Sequence, residues 1–226
     1  MAGEGALRRT RLDAALLYLV TPGEPRAGAL DEFLPRVLEA GVDIVQLREK
    51  DLDARPLLRL AAVARRRTTE FGALFIVNDR VDLALAAGAD GVHLGQEDIP
   101  PGEARRQMGP EALIGLSTHS EEQVLVASPE ADYIAVGPVL PTPTKPGRPP
   151  VGPGLVRFAA GRPGRRPFFA IGGVDLLSLP AVLAAGARRV AVVRALTEAD
   201  DPAAAARRLS EALRRGPWPL QDQAGS

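Results

Sequence analysis

The sequence predicts a single (β/α)8 TIM barrel, and three observations carry that expectation. Short apolar runs rich in Val, Ile and Leu recur at 16–21, 42–48, 74–79, 91–95, 113–118, 133–140, 168–173 and 189–195. Each reads as a strand buried on both faces, as strands of a parallel sheet are. Ala/Leu/Arg-rich segments with helical spacing separate them, near 30–40, 56–70, 81–87, 101–108, 120–127, 153–160, 178–185 and 202–215. Strict alternation of strand and helix implies parallel strands joined by helical crossovers. The third observation is an internal echo: Leu38-Glu39-Ala40-Gly41-Val42-Asp43 resembles Leu85-Ala86-Ala87-Gly88-Ala89-Asp90 and Leu183-Ala184-Ala185-Gly186-Ala187-Arg188, with Ala131-Asp132-Tyr133 a degraded copy. A repeat of two βα pairs, roughly 45 residues, suits a repetitive barrel better than a two-domain enzyme. The competing architecture is an open doubly wound sheet, but no dinucleotide fingerprint or P-loop follows the first strand.

The first strand, 16–21, follows Arg8-Arg9-Thr10-Arg11. With Leu16–Val20 and Ala27-Gly28-Ala29 this stretch imitates an export signal, but the apolar part is short and Asp13 interrupts its approach. The favoured reading is a basic tail before a buried strand. One domain is expected over 1–226, with the barrel at about 14–215 and flexible tails at 1–13 and 216–226. The second strand runs into Gln46-Leu47-Arg48-Glu49-Lys50. Side chains alternate along a strand, so Val42, Ile44, Gln46, Arg48 and Lys50 share one face if extended geometry persists to the tip. Facing a barrel mouth, two cations and an amide would grip a polyphosphate; otherwise they form a solvated strand end neutralised by Glu49.

The third strand ends in Asn78-Asp79, a pair that alone more often marks a turn. Asp98 follows the fourth strand in Gly95-Gln96-Glu97-Asp98 and alone reads as the N-cap of a helix beginning near Pro100-Pro101. Together Asp79 and Asp98 could hold one Mg²⁺, which takes one or two carboxylates and completes its shell with water and phosphate. His93, inside the fourth strand, is expected to be a packed structural histidine. The fifth strand ends at Ser117, and Ser117 with His119 invites a hydrolase reading; no glycine-framed nucleophile elbow supports it. The sixth strand runs into Pro138–Pro153, a stretch with seven prolines that is either a linker or a stiff loop placing Thr142, Thr144 and Lys145 over the mouth. Gly172-Gly173 ends the seventh strand, and Ala191–Arg194, with Val193, ends the eighth. Loops after these two strands form the common phosphate site of such barrels, and glycine lets backbone N–H groups approach the phosphate closely.

Composition narrows the chemistry. The 226 residues carry a formal net charge of zero, so any anion site must be built locally. The absence of Cys excludes disulfides, thiolate metal sites and a thiol nucleophile, and two histidines exclude a multi-His metal site. A metal, if used, is a hard cation on oxygen ligands. No run reaches the roughly 18–20 apolar residues of a membrane span, and a cytoplasmic protein is expected.

Taken together, the motifs resemble the thiamine phosphate synthase (thiamine-phosphate pyrophosphorylase) family over nearly the whole chain. The resemblance rests on Gln46–Lys50, Asn78-Asp79-Arg80, Val92-His93-Leu94-Gly95-Gln96-Glu97-Asp98, Gly137–Lys145 and Ala170-Ile171-Gly172-Gly173, in order and at rim positions. It implies a transferase that joins 4-amino-2-methyl-5-(diphosphooxymethyl)pyrimidine to a thiazole phosphate and releases pyrophosphate, by a dissociative step assisted by Mg²⁺. By the same resemblance Gln46, Arg48, Lys50 and Asn78 bind the pyrimidine diphosphate, and Asp79 and Asp98 hold Mg²⁺. Ser117 and Lys145 contact the diphosphate or the forming product. Thr142, Thr144 and Gly173, with Gly172 beside it and the end of the eighth strand at Val193 and Arg194, take the thiazole phosphate. Arg48, Lys50 and Lys145 carry the charge neutralisation that drives the step. One position departs: the family usually has Ser where this chain has Arg194. Two other readings compete. A thiazole tautomerase of the same superfamily would need the phosphate site without the diphosphate and Mg²⁺ set, and a non-catalytic barrel would bind thiamine phosphates without turnover. No nucleic-acid or membrane partner is implied.

Overall fold

The computed structural model of the chain describes residues 3–127, 129–142, 149–162 and 166–216. Strands β1 (Leu17–Thr21), β2 (Ile44–Leu47), β3 (Leu74–Asn78), β4 (Gly91–Leu94), β5 (Leu113–Thr118), β6 (Tyr133–Val136), β7 (Phe168–Ile171) and β8 (Val190–Val192) close into one barrel in sequence order. Every neighbouring pair is parallel, including β8 with β1, where Tyr18 lies beside Ala191. The helices are α1 (Glu4–Ala14), α2 (Leu30–Glu39), α3 (Ala54–Phe71), α4 (Val81–Ala86), α5 (Pro101–Met108), α6 (Glu121–Leu125), α7 (Gly152–Ala160), α8 (Leu179–Ala184), α9 (Arg194–Thr197) and α10 (Pro202–Arg215).

Alternation along each strand sorts the core into two layers. Outward residues such as Leu19, Val45, Phe75, Val92 and Val136 pack under the helices. Inward residues, among them Tyr18, Ile44, Ile76, Leu113, Tyr133 and Phe169, fill the barrel as side-chain layers. Two glycines make this filling possible. A Cβ on Gly91 would strike the Leu113 carbonyl, and one on Gly115 would strike the Tyr133 ring and His93 Nδ1.

The sequence echo has a physical purpose. Asp43, Asp90 and Asp132 precede β2, β4 and β6, and each carboxylate accepts a backbone N–H at the start of the strand one unit earlier. Asp43 accepts from Leu16 and Leu17 at 2.9 Å, Asp90 from Phe75 at 2.8 Å and Asp132 from Ile114 at 2.8 Å. Arginines neutralise these largely buried acids: Arg65 and Arg8 reach Asp90 at 2.8 and 3.1 Å, and Arg105 and Arg9 reach Asp132 at 2.6 and 3.0 Å.

Four boundaries differ from expectation. Residues 4–14 are not a tail but α1, whose Leu12 is buried in the inward cluster and stoppers the barrel's N-terminal end. Its arginines are the partners of Asp90 and Asp132, which is why a basic stretch that looked like a tail is ordered. The second strand is shorter than 42–48, and Val42 packs with the outward layer rather than with Ile44. The sixth strand stops at Val136, although Val139 and Leu140 still donate to the carbonyls of Ile171 and Gly172 at 2.8 and 3.0 Å. The eighth stops at Val192, because the chain turns at Val193 into α9.

Candidate active site

The inward positions change character toward the C-terminal ends of the strands. Below lie Ile44, Leu74, Leu113 and Phe169; above lie Gln46, Asn78, Ser117 and the glycines after β7. The result is a cavity of about 360 Å³ at the barrel mouth. Gln46, Arg48, Asn78, Ser117, Thr142, Gly172, Gly173, Val193 and Arg194 all line it. Strands β2, β3 and β5 supply one side, and the ends of β7 and β8 the other. Thr144 and Lys145 lie outside the described residues.

Lys50, Asp79 and Asp98 sit beside the mouth rather than among the lining residues. Extended geometry ends at Leu47, so the Gln46–Arg48 face does not continue to Lys50. Lys50 Nζ instead stands 3.6 Å from Asp79 Oδ2. Glu49 turns away and accepts from the Gly23 N–H at 2.6 Å. Asp79 holds a left-handed backbone, φ 61°, which is uncommon for a residue with a Cβ. Its N–H donates to the His93 carbonyl at 2.8 Å. Strain of this kind persists where the surroundings over-determine it, and here it aims a carboxyl at Asp98. Burial raises the Asp79 carboxyl above the usual carboxylate range; a hydrogen bond to Asp98 and Asp98's charge push the same way, against Lys50 and Arg48. Asp98 does not cap a helix: α5 begins after Pro100, and Asp98 Oδ2 accepts from the Gly95 N–H at 2.6 Å.

The glycine pair also has a packing reason. Gly172 and Gly173 have φ of 102° and 68°, and a Cβ on either would strike the chain at Pro138 or Leu140. Arg194 lines the cavity beside Asp175, whose carboxyl is held low chiefly by the Ser178 N–H and, more weakly, by the Arg194 charge.

Five polar lining residues, Tyr18, His93, His119, Asp175 and Glu198, escaped the sequence reading of the site. Tyr18 and His93 line its floor, and His119 its wall. Ser117 pairs with His93, whose Nε2 lies 3.0 Å from Ser117 Oγ, and not with His119, whose Nδ1 donates to the Gly137 carbonyl. The other nitrogen of His93 meets the Tyr133 hydroxyl at 3.2 Å, where a hydrolytic triad would place a carboxylate. Strand alternation held the signal for all of this, since Tyr18, Gln46, His93 and Ser117 are inward positions; without the barrel register they look like ordinary core.

A family model described as thiamine monophosphate synthase matches residues 17–196. The chain belongs to the thiamine monophosphate synthase family. A relative named thiamine-phosphate synthase from Acidothermus cellulolyticus is 54% identical over 200 residues, covering 88% of this chain and 94% of its own length. The Mycobacterium tuberculosis protein of that name is 50% identical over 218 residues, covering 92% and 98%. The solved thiamine phosphate pyrophosphorylase of Pyrococcus furiosus superposes with a TM-score of 0.80 at 33% identity, covering 92% and 98%. As a member of the thiamine monophosphate synthase family the chain is an enzyme, a transferase of thiamine biosynthesis with small-molecule substrates. Among the described residues no helix is long and apolar enough to cross a membrane.

Proposed function

We propose that the enzyme condenses 4-amino-2-methyl-5-(diphosphooxymethyl)pyrimidine with a thiazole phosphate to give thiamine phosphate and pyrophosphate. One observation carries the reading: a single cavity of about 360 Å³ has polar groups suited to an anion at both ends. Gln46, Arg48 and Asn78 stand on one side with Lys50 beside them. Gly172, Gly173, Val193 and Arg194 stand on the other. Two phosphorylated molecules fit such a site better than one, which disfavours an isomerase acting on the thiazole phosphate alone.

The chemistry follows from what the site offers. The pyrimidine methylene carbon loses its bond to the diphosphate oxygen, and the electron pair leaves with pyrophosphate. The thiazole nitrogen then gives its lone pair to that carbon. No strong base or covalent nucleophile is required, and Ser117, whose partner His93 is backed by the Tyr133 hydroxyl and not by a carboxylate, is not poised as one. What the step needs is stabilisation of the leaving group's charge, for which Arg48, Lys50 and Lys145 are suited. Thr142 and Thr144 are assigned to the thiazole phosphate with the glycine pair.

The donor set suits Mg²⁺. Two carboxyls that meet, as Asp79 and Asp98 do, need a proton or a cation between them, and hard oxygen ligands favour Mg²⁺. Bound there, the ion would neutralise diphosphate charge. The test is direct: purified enzyme with both substrates and Mg²⁺ should release pyrophosphate and form thiamine phosphate, and EDTA should abolish both. Absence of product from folded enzyme would overturn the reading. Asp79→Ala and Lys145→Ala should each lower turnover at least about tenfold without loss of the fold.

A further inference from the structure

Five polar side chains from five strands form one continuous hydrogen-bonded chain under the cavity. Gln46 Nε2 donates to the Tyr18 hydroxyl at 2.7 Å. The Tyr18 and Tyr133 hydroxyls are 2.8 Å apart. Tyr133 meets His93 Nδ1 at 3.2 Å, and His93 Nε2 meets Ser117 Oγ at 3.0 Å. All five residues are buried. Phe169 seals the two phenols edge-on, with ring centroids 5.2 Å from Tyr18 and 5.7 Å from Tyr133. The bareness of Gly115 gives the Tyr133 ring and His93 their room.

Each hydroxyl has a single proton, so one end sets the direction of the rest. The Gln46 amide nitrogen can only donate. Tyr18 accepts from it and passes its own proton toward Tyr133. Tyr133 then donates to His93 Nδ1, which leaves the histidine proton on Nε2, donating to Ser117. The Ser117 proton has only the cavity left to serve. At the other end the Gln46 nitrogen is committed to Tyr18, so its carbonyl oxygen is the acceptor left for the cavity that Gln46 lines. Burial pushes both phenols above their ordinary range, so both hydroxyls keep their protons.

We propose that this chain is a one-way relay that presents Gln46 to the ligand as an acceptor and Ser117 as a donor. Tyr18, Tyr133 and His93 are then positioning residues that select a 4-aminopyrimidine over its 4-oxo analogue. The proposal rests on the condensation reading for the identity of the pyrimidine. An exocyclic amine donates to the Gln46 oxygen; an oxo group there sets oxygen against oxygen. Sites that hydrogen-bond a substrate group discriminate strongly, because the wrong analogue leaves buried polar atoms unpaired.

The direction can be read without substrate. The chain has two histidines. His119 Nδ1 donates to the Gly137 carbonyl, so its tautomer is opposite to the one assigned to His93 and serves as an internal reference. In ¹⁵N-histidine-labelled enzyme, long-range ¹H–¹⁵N correlation at neutral pH should show one histidine protonated on Nε2 and one on Nδ1. Tyr133→Phe should release His93 into a tautomer mixture and lower the ratio of kcat/KM for the 4-amino over the 4-oxo substrate at least about tenfold. Tyr18→Phe, which disconnects Tyr133 from the Gln46 end that sets the direction, should likewise loosen the His93 tautomer and lower the same ratio. His93 protonated on Nδ1 in the unaltered enzyme, or unchanged selectivity in both folded variants, would overturn the relay. No turnover of either pyrimidine beside the expected nitrogen shifts would overturn the condensation reading and leave the relay's direction standing.

Discussion

Asp79 carries a conflict between stability and function. Its folded pKa is raised, so the stability it contributes is present below the unfolded carboxylate value and is lost as pH rises through the folded one. Once ionised, the group is a net cost. Asp79→Asn removes that cost, and asparagine tolerates the left-handed backbone better than most residues. The variant, in EDTA, should melt at a higher temperature than the unaltered enzyme at neutral pH, with the gap closing at acid pH, while its turnover falls. An unchanged or lower melting temperature at neutral pH would contradict the cause given for the shift. Arg48→Ala should cost about 10²–10³ in turnover if the guanidinium meets the developing charge. At this scale the rim was legible because charged residues at the ends of apolar runs stand out. The floor was not: a tyrosine inside a buried strand looks the same whether it only fills space or also hydrogen-bonds its inward neighbours.

At the scale of the element, β-strands declared themselves because burial on both faces leaves only apolar residues in short runs. Helix α1 did not, since a single buried leucine and two arginines serving distant carboxylates leave no apolar stripe to detect. Leu12→Ala should lower unfolding free energy by about 2–5 kcal/mol, read from urea denaturation, with kcat little changed because the cavity lies at the opposite end. Asp90→Ala strands two partly buried arginines and a strand N–H, and should cost about 3–5 kcal/mol. If either variant matched the unaltered enzyme in stability, the roles given to α1 and to the repeated aspartates would be wrong. The first two residues of α9, Arg194 and Ala195, were read as strand because Val193 continues the apolar run of β8; only the turn at Val193 separates the two elements.

The whole molecule divides its labour between two ends. Ion pairs, the repeated carboxylates and α1 hold the N-terminal end, and the polar cavity occupies the other. Ligands that bind only the folded state stabilise it by mass action, by about 2.7 kcal/mol at a hundred times Kd. Pyrophosphate with Mg²⁺ should therefore raise the melting temperature more than the sum of the two added singly, and Asp79→Ala should abolish the excess. A purely additive effect would argue against a shared site. The barrel itself was legible from alternation and repeat, because crossover geometry allows few other closures.

The stopper formed by Leu12 has a bearing on traffic. The packed side-chain layers beneath the cavity, with Leu12 below them, leave a well with one doorway; in the condensation proposed above, two substrates and two products would share it. Whatever settles deepest has to leave past whatever came after, so the sequence of arrivals constrains the sequence of departures. Congestion at that doorway, as much as the chemistry beneath it, can then set the pace of the cycle.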